Sequence, residues 1–260
     1  MLMKKVLLIA SLVTAFYVNA QDKPLPAEAK PFVLKGYEML DYITGDLNAD
    51  KRSDAILILK VAGEDTVLFD EIKRPLLLLL RQPNGRLKLA KRNDDMVLCR
   101  SCGGVFGDPY AGTSIKKTTF IINFYGGSSW RWGYEYTFSY NAAAKNWLLT
   151  RESDESYHDG DPEATMKKNI IGAVEFAGIN FDNFNVNPVN EDIKWKVTAA
   201  KTFFYDNPGI RNKPRKGYLV KGNEVSGIRE LKNFVEVNFE GGTEQVTTGF
   251  ILKKDLVKIK

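Results

Sequence analysis

Apolar residues along this chain recur in short runs at period two, and Gly-, Asn- and Pro-bearing turns separate the runs. That spacing predicts a mainly β fold. Ala55 to Val61 reads as a strand rich in Ile and Leu, and Thr66 to Phe69 and Pro75 to Arg81 as further strands. Asn84-Gly85 is a hairpin signal between Leu76–Leu80 and Leu87–Ala90. Phe120 to Tyr125 leads through Gly126-Gly127-Ser128-Ser129 into a long aromatic strand ending at Tyr140, and Trp147 to Thr150 closes the next hairpin. Arg151 to Glu163 is acidic and polar with no apolar period, which predicts a loop. Pro162 to Ala177 is the one segment with a plausible helix.

The first twenty residues stand apart. Lys4 and Lys5 precede an apolar stretch from Val6 to Val18, and Val18-Asn19-Ala20 places small residues before a cut that leaves Gln21 first. This predicts a secretory signal peptide over 1–20, too short to be a membrane anchor. No other segment is long and apolar enough to span a bilayer, so the expectation is an exported protein, periplasmic or secreted. Residues 21–32 carry three prolines and read as an extended leader. The remainder suits two units, a β domain over 33–190 and a compact unit over 196–260, with the Asn-rich stretch from Asn180 to Asn190 as linker.

Charge divides along the same boundary. From Trp195 onward the chain carries 13 Lys and Arg against 7 Asp and Glu, whereas residues 21–194 carry 22 against 25. A basic tail unit behind a mildly acidic body fits contact with an anionic surface such as wall polymer or lipid headgroups. The excess is small beside that of nucleic-acid binders, and export also argues against nucleic acid. A solvated basic face is the simpler account of the same numbers.

The two cysteines, Cys99 and Cys102, form a C-x-x-C pair. In an exported protein this favours a small structural disulfide. A redox role would need the first cysteine at a helix N-terminus, but Gly103-Gly104-Val105-Phe106-Gly107-Asp108-Pro109 follows the pair. Zinc would need more soft ligands than one histidine and no third cysteine supply. Catalytic signals are sparse. His158 is the single histidine and sits in an acidic stretch, a poor support for a triad base. No catalytic residue is assigned, although a hydrolase using two distant carboxylates is compatible with the sequence.

The segment Gly45 to Leu59 carries the clearest chemistry. Asp46, Asn48, Asp50 and Asp54 place oxygen donors at positions one, three, five and nine of a tight loop, with the Arg52 backbone carbonyl at position seven. Such a set suits a hard cation, calcium above all; an ordinary turn rich in Asp and Asn is the alternative. Position twelve is Leu57, so this is not an EF-hand. The loop and the apolar strand behind it resemble the calcium loops of FG-GAP and VCBS-type integrin-like repeats. The resemblance implies a structural calcium. Lys51 stands where that family favours glycine at a left-handed position. With Arg52 it also puts positive charge beside the ion, which predicts weak binding, on the order of 10⁻⁴–10⁻³ M.

Trp130, Trp132, Tyr134, Tyr136, Phe138 and Tyr140 follow strict period two, so a strand puts all six on one face. Most of that stripe suits a core, while Trp130 and Trp132, beside the glycine turn, are candidates for stacking on a ligand. The final unit, through Thr202-Phe203-Phe204-Tyr205, Gly217 to Val225, Asn233 to Val237 and Gly249-Phe250-Ile251 to Leu256, resembles a bacterial SH3-type domain. That implies a small barrel binding wall peptide or a partner protein, with Tyr205, Tyr218 and Phe250 as contact candidates; a barrel that only caps the first domain is equally consistent. The combined expectation is a non-catalytic envelope-binding protein whose partner is a cell-wall component or envelope protein. An exported inhibitor or immunity-type protein and a carboxylate-based hydrolase are the alternatives.

Overall fold

The computed structural model of the protein describes residues 24–64, 72–176, 178–187, 193–209, 212–242 and 246–259. The expected signal peptide and the Thr66 to Phe69 strand lie outside the described residues. The fold is mainly β. Strands β1 (Tyr37–Gly45), β2 (Asp54–Val61), β3 (Leu76–Arg81) and β4 (Leu87–Asn93) form an antiparallel meander in chain order. Asp54 to Leu59 is buried at every position because both faces of this sheet are covered. Ile56, Ile58, Leu76 and Leu78 enter the main core. Ala55, Leu57, Leu59, Leu77 and Leu79 face the opposite way, under Leu25, Phe32, Val33 and Leu34.

That cover corrects the expectation of an extended leader, as far as its described residues, 24–32, reach. Ala29 donates to the Pro26 carbonyl at 2.9 Å, and a 3-10 turn follows at Lys30–Phe32 with proline at its start. Proline pre-sets φ for a turn as readily as for extension. Ala29 is fully buried, and Glu28 receives 2.8 Å hydrogen bonds from both terminal nitrogens of Arg81. The predicted Asn84-Gly85 turn is present, with Gly85 at φ +81°.

A second antiparallel meander contains β5 (Tyr110–Lys116), β6 (Thr119–Gly127), β7 (Trp130–Asn141), β8 (Asn146–His158) and β9 (Lys167–Gly172). Phe120, Ile122, Phe124, Phe138, Trp147 and Leu149 pack from this sheet into the core shared with the first. Two expectations fail here. The polar stretch from Arg151 onward is not a loop, since β8 runs on to His158 between β7 and β9. The helix over 162–177 shrinks to one turn, α1 (Pro162–Thr165), capped by the Asp161 side chain, and β9 takes the residues beyond it. Sheet pairing supplies what the missing apolar period could not: β8 pairs with β7 from Asn146 to His158, apart from the bulge at Thr150, and with β9 from Arg151 to Ser156.

The C-terminal unit has β10 (Lys194–Val197), β13 (Glu224–Glu230), β14 (Phe234–Glu240), β15 (Val246–Leu252) and β16 (Leu256–Lys258) in one five-stranded sheet, ordered β15-β14-β13-β10-β16. A ribbon of β11 (Lys201–Phe203) and β12 (Tyr218–Val220) completes it. Trp195, Val197, Val225, Val235, Val237 and Ile251 form its own core. Leu231, Phe234 and Phe250, however, belong to the main core. The stretch expected as linker is also part of that core where it is described: Phe181 is fully buried and Phe184 is 5% exposed. Asn93 fixes both with hydrogen bonds to their carbonyls at 2.6 and 2.9 Å.

Candidate functional site

Two places gather chemistry. The first is the acidic loop joining β1 to β2. Its shape is set by short-range hydrogen bonds, as Asp and Asn favour in turns. Asp46 Oδ1 accepts from the Ala49 N–H at 2.8 Å and its Oδ2 from the Lys51 N–H at 2.9 Å. Asp50 Oδ1 accepts from the Arg52 N–H at 2.9 Å. Asp54 is fully buried and receives the Leu47 N–H at 2.9 Å and the Arg81 N–H at 2.8 Å. Ala49 and Lys51 are left-handed, at φ +68° and +64°. Each of Asp46, Asp50 and Asp54 offers a carboxylate oxygen within 4.8 Å of the others, a set that could hold a metal ion.

The remaining expected ligands are placed differently. Asn48 Oδ1 accepts the Asp50 N–H at 3.1 Å, and its amide nitrogen donates to Asp50 Oδ2 at 3.0 Å. The Arg52 guanidinium also pairs with Asp50 Oδ2, while its Nε donates to the Arg81 carbonyl at 2.8 Å. Burial alone would raise the Asp50 carboxyl; the Arg52 N–H, the Asn48 amide and the guanidinium outweigh it and hold the group below its usual range. Asp54 goes the other way. Burial pushes it up, the Arg81 and Leu47 N–H groups oppose, and Asp50 and Asp46 add repulsion. A cation among the three carboxylates would relieve that repulsion.

The second place lies between the second sheet and the C-terminal unit. The aromatic residues of β7 grade from fully buried Phe138 to Trp130, which is 52% exposed. Trp132 and Tyr134 are 5.2 Å apart between ring centroids and Tyr134 and Tyr136 6.2 Å. Gly126, paired across from Trp132, makes room for that ring: a β-carbon there would sit 2.5 Å from the indole. Trp130 meets His158 edge-on at 5.2 Å.

Beside this column runs a polar one. A bulge shifts the β7–β8 register, so that Phe138 faces Leu149 but Thr137 faces Arg151, leaving Thr150 as the extra residue. Before the bulge Trp147 and Leu149 point inward. After it, the inward set is Glu152, Asp154, Ser156 and His158, opposite Tyr136, Tyr134, Trp132 and Trp130. Glu152 reaches across to β13, where Arg229 Nη2 donates to its Oε1 at 3.1 Å, and Glu236 of β14 takes the same nitrogen at 3.1 Å. Together these residues line a cavity of about 420 Å³ with Trp132, Tyr134, Tyr136, Phe184 and Asn185.

The electrostatics of this cluster are unbalanced. Burial, with Glu152 and Glu236 nearby, pushes Asp154 up to about 6, against a hydrogen bond from Asn169. Burial also raises Glu236, with Arg229 opposing and Glu152 adding. Sequence reading named Trp132 but missed Glu152, Asp154, Arg229 and Glu236. The one available signal was the alternation Glu-x-Asp-x-Ser-x-His after Thr150, which is strand-like although polar.

Other expected positions scatter. Cys99 and Cys102 form a disulfide with Cα atoms 5.2 Å apart, beside a 3-10 turn at Arg100–Gly103. Phe250 is 7% exposed and packs in the main core, so its ring is not available at the surface. Tyr205 is half-buried beside it, exchanging backbone hydrogen bonds at 2.8 and 3.0 Å. Tyr218 is exposed under the Lys201 ammonium, 3.6 Å from its ring centroid. Tyr205 also lines a basic hollow with Lys232, Lys253 and Lys254. No helix among the described residues is long and apolar enough to cross a membrane. Compared with protein-family models, curated proteins and solved structures, the chain matches none.

Proposed function

We propose that this chain is an exported, non-catalytic binding protein of the cell envelope, with a structural calcium in the Asp46–Asp54 loop and a wall glycan or peptide as partner. One observation carries the binding reading: the aromatic column of β7 leaves the core, lines a cavity through Tyr136, Tyr134 and Trp132 together with Glu152, Arg229 and Glu236, and ends at the exposed Trp130 outside that cavity. Stacked aromatic faces beside carboxylates suit sugar rings and peptide groups. Tyr218 and the lysine-rich hollow would add contact with anionic polymer, in keeping with the basic balance of the last unit and with its resemblance to SH3-type domains. The FG-GAP-like loop would act as a brace, closing the β1–β2 connection around the ion.

The test is retention of the chain from Gln21 onward on purified peptidoglycan. Trp130→Ala should release it, and Tyr218→Ala should weaken it in low salt. Undiminished retention of both variants would contradict the reading. A carboxylate hydrolase is the second reading, favoured by Glu152 and Glu236 facing one cavity, with the Asp154 carboxyl nearby pushed up to about 6. Release of soluble glycan fragments, abolished by Glu236→Gln, would select it.

A further inference from the structure

We propose that the cavity between β7, β8 and the β13–β14 hairpin binds an organic ammonium group, seated against Trp132, Tyr134, Tyr136 and the carboxylate of Glu236. This deepens the envelope-binding reading and rests on it, by naming the chemistry the cavity selects.

The first support is the wall. Trp132, Tyr134 and Tyr136 stand in one column with successive ring centroids 5.2 and 6.2 Å apart, and Phe184 approaches Tyr136 at 5.0 Å. All four line the same cavity. The electron-rich faces of such rings attract cations, and several rings around one space are how proteins hold alkylated ammonium groups. A neutral apolar guest would gain from the same rings but would not account for the charge beside them.

The second support is charge. Glu152 and Glu236 both pair with a single guanidinium, that of Arg229, while Asp154 stands outside the cavity lining, bonded to Asn169, and close enough to feel the same charges. Three carboxylates against one cation leave the cluster short of positive charge. Burial above all, with the neighbouring carboxylates adding to it, raises the Asp154 and Glu236 carboxyls. Glu152 is nearly buried and doubly bound by Arg229, whereas the Glu236 side chain keeps 21% of its surface open. Glu236 is therefore the carboxylate a guest can reach. The cavity of about 420 Å³ accepts a small amine together with several neighbouring atoms.

A third feature refines the guest. Arg229 Nε is buried and has no hydrogen-bond partner among the described residues. That nitrogen is closed to solvent where it stands, so an oxygen on the same guest satisfies it only when the guanidinium turns toward the cavity; with that turn an ammonium group two or three bonds from a hydroxyl or carbonyl fits better than a bare amine.

Choline and its neutral isostere 3,3-dimethyl-1-butanol test this directly, because they differ in charge and share shape and hydroxyl. Titration of the intact chain, followed by tryptophan fluorescence and calorimetry, should show saturable choline binding at least about tenfold tighter than that of the alcohol. Glu236→Gln, checked for native circular dichroism, should reduce the preference several-fold. Equal affinity for the two probes, or no binding of either, overturns the proposal, and because this comparison uses the unaltered protein it stands even if the variant misfolds. Retention on peptidoglycan with no ammonium preference would remove this inference and leave the envelope-binding reading standing. Choline binding without retention would do the reverse for the wall partner.

Discussion

The indole Nε1 of Trp147 donates a 2.9 Å hydrogen bond to the backbone carbonyl of Leu47. Trp147 belongs to β8 in the second sheet and Leu47 to the acidic loop of the first, and both are essentially buried. The Leu47 N–H meanwhile holds Asp54 Oδ2 at 2.9 Å. The backbone of one residue thus links the core shared by the two sheets to the most buried carboxylate of the loop.

Trp147→Phe should therefore act on both. It leaves a buried carbonyl unpaired and a partial void, costing about 2–4 kcal/mol. The urea midpoint should fall accordingly. It should also blunt the response of the loop to calcium; a variant as stable as the parent would show that the hydrogen bond carries no weight.

Calcium should stabilise the parent through the loop. With affinity of about 10⁻⁴–10⁻³ M, 10 mM calcium adds about 1.4–2.7 kcal/mol. Asp46→Ala and Asp50→Ala should abolish that increment. An equal calcium-dependent rise in melting temperature for parent and variants would contradict ligation by these carboxylates.

Lys51 occupies φ +64°, where a β-carbon crowds the backbone at a cost of about 1–2 kcal/mol. Lys51→Gly should raise stability by about 0.5–1 kcal/mol once the greater freedom of glycine in the unfolded chain is deducted. The same change removes a positive charge beside the carboxylates, so it should also tighten calcium. Denaturant titration with and without the ion separates the two effects.

Arg229 holds Glu152 and Glu236 together across the junction of the two units. Arg229→Met strands a nearly buried Glu152 and should cost about 3–5 kcal/mol. Adding Glu152→Gln to that variant should recover part of the loss, because the remaining cost is the unpaired charge. A double variant no better than the single one would show that lost packing dominates.

Asp154 supplies a pH signature. Its folded carboxyl titrates at about 6, above the unfolded value of 3.8. The folded state therefore binds more protons between these values, and this group makes the protein less stable as pH rises from about 4 through 6. A two-unit shift corresponds to about 3 kcal/mol, which solvent access to this partly exposed group reduces to about 1–2 kcal/mol. Asp154→Asn, which keeps an oxygen for Asn169, should stabilise the protein at pH 7–8 and be neutral below pH 4. The measurement is the variant-minus-parent melting temperature across pH; a flat difference would sink it.

The period-two pattern of β6 and β7 was readable in advance because strand geometry alone puts alternate residues on one face. The acidic loop was readable for a related reason. Its residues lie within nine positions, and hydrogen bonds that Asp46, Asn48 and Asp50 accept from backbone N–H groups two to five residues on close it with little outside help. Polar β8 was misread as a loop because its inward residues beyond Thr150 are Glu, Asp, Ser and His, whose cost of burial is met only by partners on other strands. Residues 180–187 were misread as linker because Asn-rich composition masks two phenylalanines that Asn93 locks into the core.

The chain by itself determined the all-β character, the disulfide pair and the convergence of three carboxylates ahead of Ala55, since each depends on neighbours a few residues away. Only tertiary packing decided the cavity. One extra residue at Thr150 turns Glu152 and Asp154 to the inner face, and Arg229 arrives from 77 positions downstream. Local spacing constrains local dihedral angles, whereas a contact across that distance exists only because two apolar cores bury their surfaces against each other and carry the charged groups into place.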